Sequence, residues 1–354
     1  MEIILDIQYQ SIISLPLNEK NLERLPGASW VNIFYNWAET SDVKILLSGQ
    51  INKSKNVSGI YMISEMYTDN TADLIKRGAI PFLIYSLESP NISKYFYSAY
   101  TTKYKFKYTY LFPGSFNFFG NANRDIPLFW PNSTFLNKQY SSAKDIFLGM
   151  IASNKQMFNR RFKFIPGFVE QLLKKTVWLN YYSKLNKKNY VDLYKNRLEA
   201  AIYFSNFEDF ALFGRGWNNK NTLSAGVFNQ IQKINPLEID DKLETLSRMK
   251  FSICFENFRF PGYITEKIFD CFFTGTIPIY LGAPDIEKYV PGNCFIDAAQ
   301  FASFSDLNDF IRSMSPEKIK QLQENAFKFL KSREYEKFTD RCFANQIVSL
   351  IKNN

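Results

Sequence analysis

The stretch from Phe251 to Leu281 limits the possible folds more than any other. Phe251–Phe255, apolar apart from Ser252, reads as a buried strand that ends at Glu256-Asn257. A short loop, Phe258-Arg259-Phe260-Pro261-Gly262, carries Tyr263 and Ile264 to Thr265. Thr265 is a residue type that favours the N-cap, and Glu266–Thr274 then reads as a helix stopped by Gly275. Thr276–Leu281 is a second apolar strand, closed by the turn formers Gly282-Ala283-Pro284. A strand, loop, helix and strand in this order belong to a parallel α/β sheet. The polar residues gather at the strand's C-terminal end and the helix N-terminus, where open α/β sheets bind ligands.

The rest of the chain repeats the alternation. Short apolar runs at Trp30–Tyr35, Val43–Leu47, Gly59–Ile63 and Pro81–Tyr85 read as strands, and Thr71–Arg77 as a helix stopped by Gly78. A second α/β unit begins near Lys144. Asp145–Ala152 is an apolar strand ending in Ser153-Asn154, followed by a basic helical stretch, and Ala211–Phe213 leads into Gly214-Arg215-Gly216. Leu243–Lys250 is expected to be helical. Ser315-Pro316-Glu317 opens a helix whose apolar stripe, Ile319, Leu322, Ala326 and Phe329, packs against a neighbour. At 354 residues the chain suits two domains rather than one core.

Composition narrows the chemistry. The chain has no histidine, which excludes Ser-His-Asp and Cys-His nucleophile systems and any His-ligated metal. General-base work therefore falls to Asp, Glu, Lys, Tyr or Cys. Cys254, Cys271, Cys294 and Cys342 form no CxxC pair, so they read as reduced thiols filling space rather than a zinc or disulfide framework. Residues 1–20 lack a basic start and an apolar run, and no window reaches membrane-spanning length. A cytoplasmic protein is expected.

The net charge of +9 is concentrated. Residues 151–200 carry eleven Lys and Arg against Glu170, Asp192 and Glu199, a field suited to an anionic partner or to a solvated helix face. Aromatic residues make up 17% of the chain. They recur inside apolar runs such as Phe269, Phe272 and Phe273, so packing explains them better than base stacking. No nucleic-acid partner is expected.

At Thr265-Glu266-Lys267 a helix dipole and an ammonium create an anion site. Glu266 beside it repels phosphate and suits sugar hydroxyls, while Asn257 and Tyr263 face the same crevice as hydrogen-bond donors. One carboxylate for a ribose and several donors for a diphosphate describe a nucleotide-sugar site. Alone, the tripeptide is an ordinary helix cap. The Gly214-Arg215-Gly216 pair is weak evidence, because the third glycine of a dinucleotide fingerprint is missing. Asp240-Asp241 reads as the acidic opening of a helix, and no Asp-x-Asp metal site is present.

Residues 251–296 resemble the signature of the α-1,3/4-fucosyltransferase family: an apolar strand, Phe-Glu-Asn, a loop, Tyr-Ile-Thr-Glu-Lys, then Gly-Thr-Ile-Pro-Ile-Tyr-Leu-Gly. Fainter similarities are Ser153-Asn154 followed by Arg160-Arg161, Phe213-Gly214-Arg215-Gly216, Glu88-Ser89-Pro90 and Tyr335-Glu336-Lys337-Phe338. The resemblance covers roughly residues 80–340. It implies a GT-B architecture of two Rossmann-like domains facing a cleft. Residues 1–143 would bind the acceptor and 144–330 the GDP-sugar, with a helical segment, 331–354, returning toward the first domain.

It also implies an inverting transfer of fucose from GDP-β-L-fucose to a glycan hydroxyl, such as O3 of GlcNAc, in a lipid-linked or surface glycan. Glu88 takes the place of the family's base, with Glu65 as the fallback. Lys267 and Arg161, or Arg160 in its stead, would stabilise the departing diphosphate. Asn154, Gly214, Asn257, Tyr263 and Thr265 complete the donor site, and Glu266 would hold the ribose. Glu256 either orients fucose hydroxyls or terminates the strand. No cofactor is required on this reading, with manganese or magnesium acting at most as a stimulant. The basic stretch, Lys174–Lys195 above all, is free to approach an anionic membrane. Two alternatives stand beside this one: the same scaffold serving another GDP-sugar, since nothing in the motif reads the sugar's methyl group, and a non-catalytic binder of anionic ligands.

Overall fold

The computed structural model describes residues 1–7, 15–18, 27–89, 92–93, 96–97, 106–115, 125–133, 143–154, 191–220 and 223–354. Its first half is built from β1 (Glu2–Asp6), α1 (Trp30–Thr40), β2 (Lys44–Leu47), β3 (Tyr61–Glu65), α2 (Asp69–Lys76), β4 (Ile80–Tyr85), β5 (Tyr108–Leu111) and β6 (Asp125–Pro127). The strands form a six-stranded sheet in the order β2-β1-β3-β4-β5-β6, parallel at every pairing.

Two features depart from expectation. The strand β1 lies inside this sheet, with Ile3, Ile4 and Leu5 fully buried, although its flanking Glu2 and Asp6 disguise it in the sequence. Trp30–Tyr35 is helical, not extended. Its buried residues, Trp30, Val31, Phe34 and Ala38, recur with the helical period and continue past the apolar run.

The second half contains β7 (Ile146–Ile151), β8 (Val191–Asp192), α3 (Tyr194–Phe204), β9 (Phe210–Phe213), α4 (Ala225–Gln232), α5 (Lys242–Ser247), β10 (Met249–Phe255), β11 (Phe258–Arg259), α6 (Glu266–Phe273), β12 (Ile277–Leu281) and β13 (Ile296–Asp297). Four helices follow: α7 (Phe304–Ser313), α8 (Pro316–Leu330), α9 (Arg333–Glu336) and α10 (Asp340–Lys352). The second sheet is also parallel, with order β13-β12-β10-β7-β9. The central β10 is buried along nearly its whole length and starts two residues earlier than its apolar run suggests. Consequently α5 is shorter than the expected Leu243–Lys250 helix. The Ser315 cap and Pro316 opening of α8 are as expected, with Leu322, Ala326 and Phe329 buried.

Two connections lock the halves together. The aromatic loop after β10 inserts Phe258, Phe260 and Tyr263 into the core of the first sheet, beside Trp30, Tyr85 and Phe112. The backbone seals this contact where Gly114 N–H donates to the Pro261 carbonyl at 3.1 Å. At the C-terminus, α10 packs against α1. Phe343 meets Trp30, Tyr85 and Tyr110 edge-on at 5.1, 5.3 and 5.3 Å between ring centres. Edge-to-face geometry adds to the area such rings bury. Replacing Phe343 by Ala should therefore destabilise the protein by about 3–5 kcal/mol. Denaturant unfolding checks this, and a loss below about 1 kcal/mol would mean that α10 is not held by this cluster.

Candidate active site

A cleft of roughly 790 Å³ opens between the C-terminal ends of the two sheets. Behind its C-terminal wall lies Glu256, the residue after β10. Glu256 N–H extends the ladder to the Leu281 carbonyl at 2.7 Å, while its side chain is fully buried. One carboxylate oxygen accepts the Thr265 N–H and hydroxyl, both at 2.9 Å, and the other receives Lys267 Nζ at 3.0 Å. Lys267 Nζ also donates to Thr265 Oγ1 at 2.8 Å. A buried carboxylate is stable only with such partners.

This corrects the expected cap and bears on Glu256, for which the sequence left two roles open, orienting fucose hydroxyls or terminating the strand. Thr265 occupies the N-cap of α6, but its hydroxyl makes no capping bond; it turns back to Glu256. Glu256 does not line the cleft. Buried where β10 ends, it fixes Lys267 at the cleft wall.

A series of alternating charges continues from there. Lys267 lies 3.5 Å from Glu266, Lys242 lies 3.5 Å from Glu266, and Lys242 bonds Asp270 at 2.6 Å. Burial opposes ionisation of Glu266, but the Lys267 and Lys242 ammoniums, with its own backbone amide, hold its pKa at about 2. Burial likewise opposes charge on Lys267, and Glu256 and Glu266 outweigh it, so its pKa is raised. Both groups are thus held charged at neutral pH. Asp241 caps α5 through the Glu244 N–H at 2.9 Å, the acidic helix opening expected of Asp240-Asp241, and so presents Lys242.

Arg197 is the cation that the sequence did not single out. It is buried on α3 and lines the cleft beside Lys267. Its Nε and Nη2 donate to the Phe255 carbonyl at 3.1 and 2.6 Å. Nothing in Asn196-Arg197-Leu198 marks it; only the packing of α3 on the end of β10 brings it there. Arg160 and Arg161, expected in this role, lie outside the described residues.

The remaining expected residues divide between wall and support. Asn257, Tyr263 and Gly214 line the cleft. Asn257 Oδ1 is buried and accepts no hydrogen bond among the described residues. Tyr263 is almost wholly packed against Phe112 and the first core, and its phenol is pushed well up by burial, then by Glu256 and Glu88. Asn154 stands behind the wall. Its N–H donates to the Arg215 carbonyl at 2.8 Å and its side-chain amide to Gly216 at 3.3 Å. Gly214 is required by this close crossing: it has φ +123°, and a Cβ there would lie 2.3 Å from the Ala152 carbonyl oxygen.

Across the cleft stand two carboxylates at the ends of adjacent strands, Glu65 closing β3 and Glu88 just beyond β4. Both are half-buried. Glu88 N–H donates to Ser86 Oγ at 3.2 Å and its carbonyl accepts the Tyr97 hydroxyl at 3.3 Å. The loop is thereby tied down with its carboxylate toward the opposite wall.

Residues 160–346 match the C-terminal domain of glycosyltransferase family 10 (fucosyltransferase). An α-(1,3)-fucosyltransferase of Helicobacter pylori is 37% identical over 100 residues, covering 27% of this chain and 21% of the relative. An α-(1,4)-fucosyltransferase of Arabidopsis thaliana is 29% identical over 83 residues, 23% of this chain and 21% of its own. The aligned segment thus spans about a fifth of these relatives' length. In fold, the chain is similar to HepE of Anabaena, solved with UDP and glucose, at a TM-score of 0.56 and 9% identity with both chains fully covered. An α1,3-fucosyltransferase crystal structure aligns with a TM-score of 0.50 and 17% identity, over all of this chain and 90% of that one. These neighbours share the GT-B architecture of two facing parallel-sheet domains. With more than half of its length matched to the family, the chain belongs to glycosyltransferase family 10, the fucosyltransferases.

Proposed function

We propose that the protein transfers L-fucose from GDP-β-L-fucose to a hydroxyl of a glycan, with inversion at the anomeric carbon. One observation carries this reading. Two cations, Lys267 and Arg197, and one ionised carboxylate, Glu266, share the C-terminal wall of the cleft, while Glu88 faces them from the other wall.

The chemistry follows from that opposition. An inverting displacement needs a base behind the nucleophile and charge stabilisation behind the leaving group. Glu88 takes the proton of the acceptor hydroxyl as its oxygen bonds to the anomeric carbon. The bond from that carbon to the β-phosphate oxygen breaks, and its electron pair leaves with GDP. Lys267 and Arg197, preset by Glu256 and the Phe255 carbonyl, meet the charge that develops on the diphosphate. Arg160 and Arg161, which the family resemblance assigns to the same task, would add to this field. Glu266 accepts the ribose hydroxyls, and Asn257 supplies a further polar contact. Protein cations thus do the work that a divalent metal does elsewhere. Lewis-type or O-antigen glycans carrying GlcNAc, modified at O3 on a lipid-linked carrier at the cytoplasmic face of a membrane, are the proposed acceptors. Among the described residues no helix is long and apolar enough to cross a membrane.

Two measurements test the site. With GDP-fucose and N-acetyllactosamine-type acceptors, Glu88→Gln should lower kcat by about 10²–10⁴-fold and leave GDP binding unchanged. A variant that keeps full turnover refutes Glu88 as base and points to Glu65. The second concerns pH. The Glu266 carboxyl titrates near 2 folded and near its usual 4.5 unfolded. Its stabilisation is therefore complete above about pH 5 and lost as pH falls from 4.5 toward 2. Glu266→Gln should be less stable than wild type by ~2–3 kcal/mol at neutral pH, and the gap should close by pH 2. A gap that is constant with pH contradicts the charge pairing.

A further inference from the structure

Tyr194 opens α3 and is stitched to the loop that carries Asn257. The preceding β8 pairs antiparallel with β11, Phe258 opposite Asp192. Leu193 N–H donates to the Asn257 carbonyl at 3.1 Å, and Tyr194 N–H to Asp192 Oδ1 at 2.9 Å. The ring is therefore held by the same short ribbon that positions the donor wall. One face is covered by the Arg197 guanidinium, 5.1 Å from the ring centre. The side chain is half-buried and lines the same cleft as Lys267, Arg197 and Glu88. Its hydroxyl hydrogen-bonds to none of the described residues.

Charges of both signs act on the phenol. Burial raises its pKa most, Arg197 and Lys267 lower it, and Glu88 and Asp192 raise it. The hydroxyl thus stands within the fields of both the leaving-group cations and the opposing carboxylate, and it keeps its proton. In the displacement described above, only the sugar ring lies between the base and the diphosphate.

We propose that Tyr194 is a sugar-contact residue whose hydroxyl donates a hydrogen bond to an oxygen of the transferred pyranose, distinguishing a GDP-sugar from GDP. The proposal rests on the reading of the cleft as a GDP-sugar site. It separates nucleotide binding, assigned to Glu266, Lys267 and Arg197, from recognition of the sugar. A neutral hydrogen bond of this kind corresponds to roughly three- to tenfold in affinity.

Tyr194→Phe removes the hydroxyl and keeps the ring under Arg197, so packing and the cation contact survive. Calorimetric titrations of GDP and GDP-fucose into wild type and variant provide the test, with melting temperature as the control for folding. The expected result is an unchanged Kd for GDP, a Kd for GDP-fucose weakened about three- to tenfold, and a larger loss in kcat/KM for transfer. Equal GDP-fucose affinity and turnover in the two proteins overturns the proposal. So does a parallel weakening of GDP and GDP-fucose, which would put Tyr194 in the nucleotide site through Arg197. If the wild type binds GDP-fucose but transfers it to no acceptor, the transfer reading fails, while the titrations still decide the role of Tyr194.

Discussion

The site depends on one buried carboxylate. Glu256 sits where the central strand of the second sheet ends, and it gathers the Thr265 amide, the Thr265 hydroxyl and the Lys267 ammonium around itself. This interaction joins three levels of structure. It ends β10, sets the angle at which α6 begins, and fixes a flexible lysine in one position before any ligand arrives. Ordering a lysine side chain on binding is costly in entropy; here the fold has already ordered it. On the proposed reading, a phosphate would meet a preset charge rather than a mobile one, the arrangement that makes electrostatic stabilisation effective in a transition state.

The rest of the protein holds this wall against its opposite. The aromatic loop between Glu256 and Thr265 packs its Phe258, Phe260 and Tyr263 into the first domain's core. The C-terminal helix closes the other side by packing Phe343, Ala344 and Ile347 into the same core. Both attachments involve the core that lies beneath Tyr85, the end of β4 that leads to Glu88. The spacing between Glu88 and the Lys267–Arg197 pair is thus set by hydrophobic packing from both sides. The alternating series from Glu256 through Lys267, Glu266 and Lys242 to Asp270 keeps the wall close to electrically balanced. Lys267 is held by two carboxylates, which a diphosphate bound as proposed would have to share.

What could be read from the sequence was local. The unit from Phe251 to Leu281 announces itself, because strand, helix opening and glycine stop follow each other within a few residues. Thr265, Glu266 and Lys267 come with it. Arg197 and Tyr194 were invisible for the opposite reason: they lie far along the chain and reach the site only through the β8–β11 ribbon and the packing of α3. Glu256 was found, but its task was not, since a carboxylate at a strand end looks the same whether it faces a ligand or turns inward. In the first domain, the charges flanking Ile3–Leu5 hid a central strand. The run Trp30–Tyr35 is apolar enough for either secondary structure, and Ala38, one turn further on, reveals the helical period.

The most direct measurement of the central claim is the affinity for GDP of wild type and Lys267→Ala, each compared with guanosine and each checked for an intact fold by melting. If the diphosphate lies against the ammonium held by Glu256, the GDP dissociation constant should rise by about 10- to 100-fold, with guanosine binding little changed. Equal GDP affinity in the two folded proteins would contradict a diphosphate site at the opening of α6.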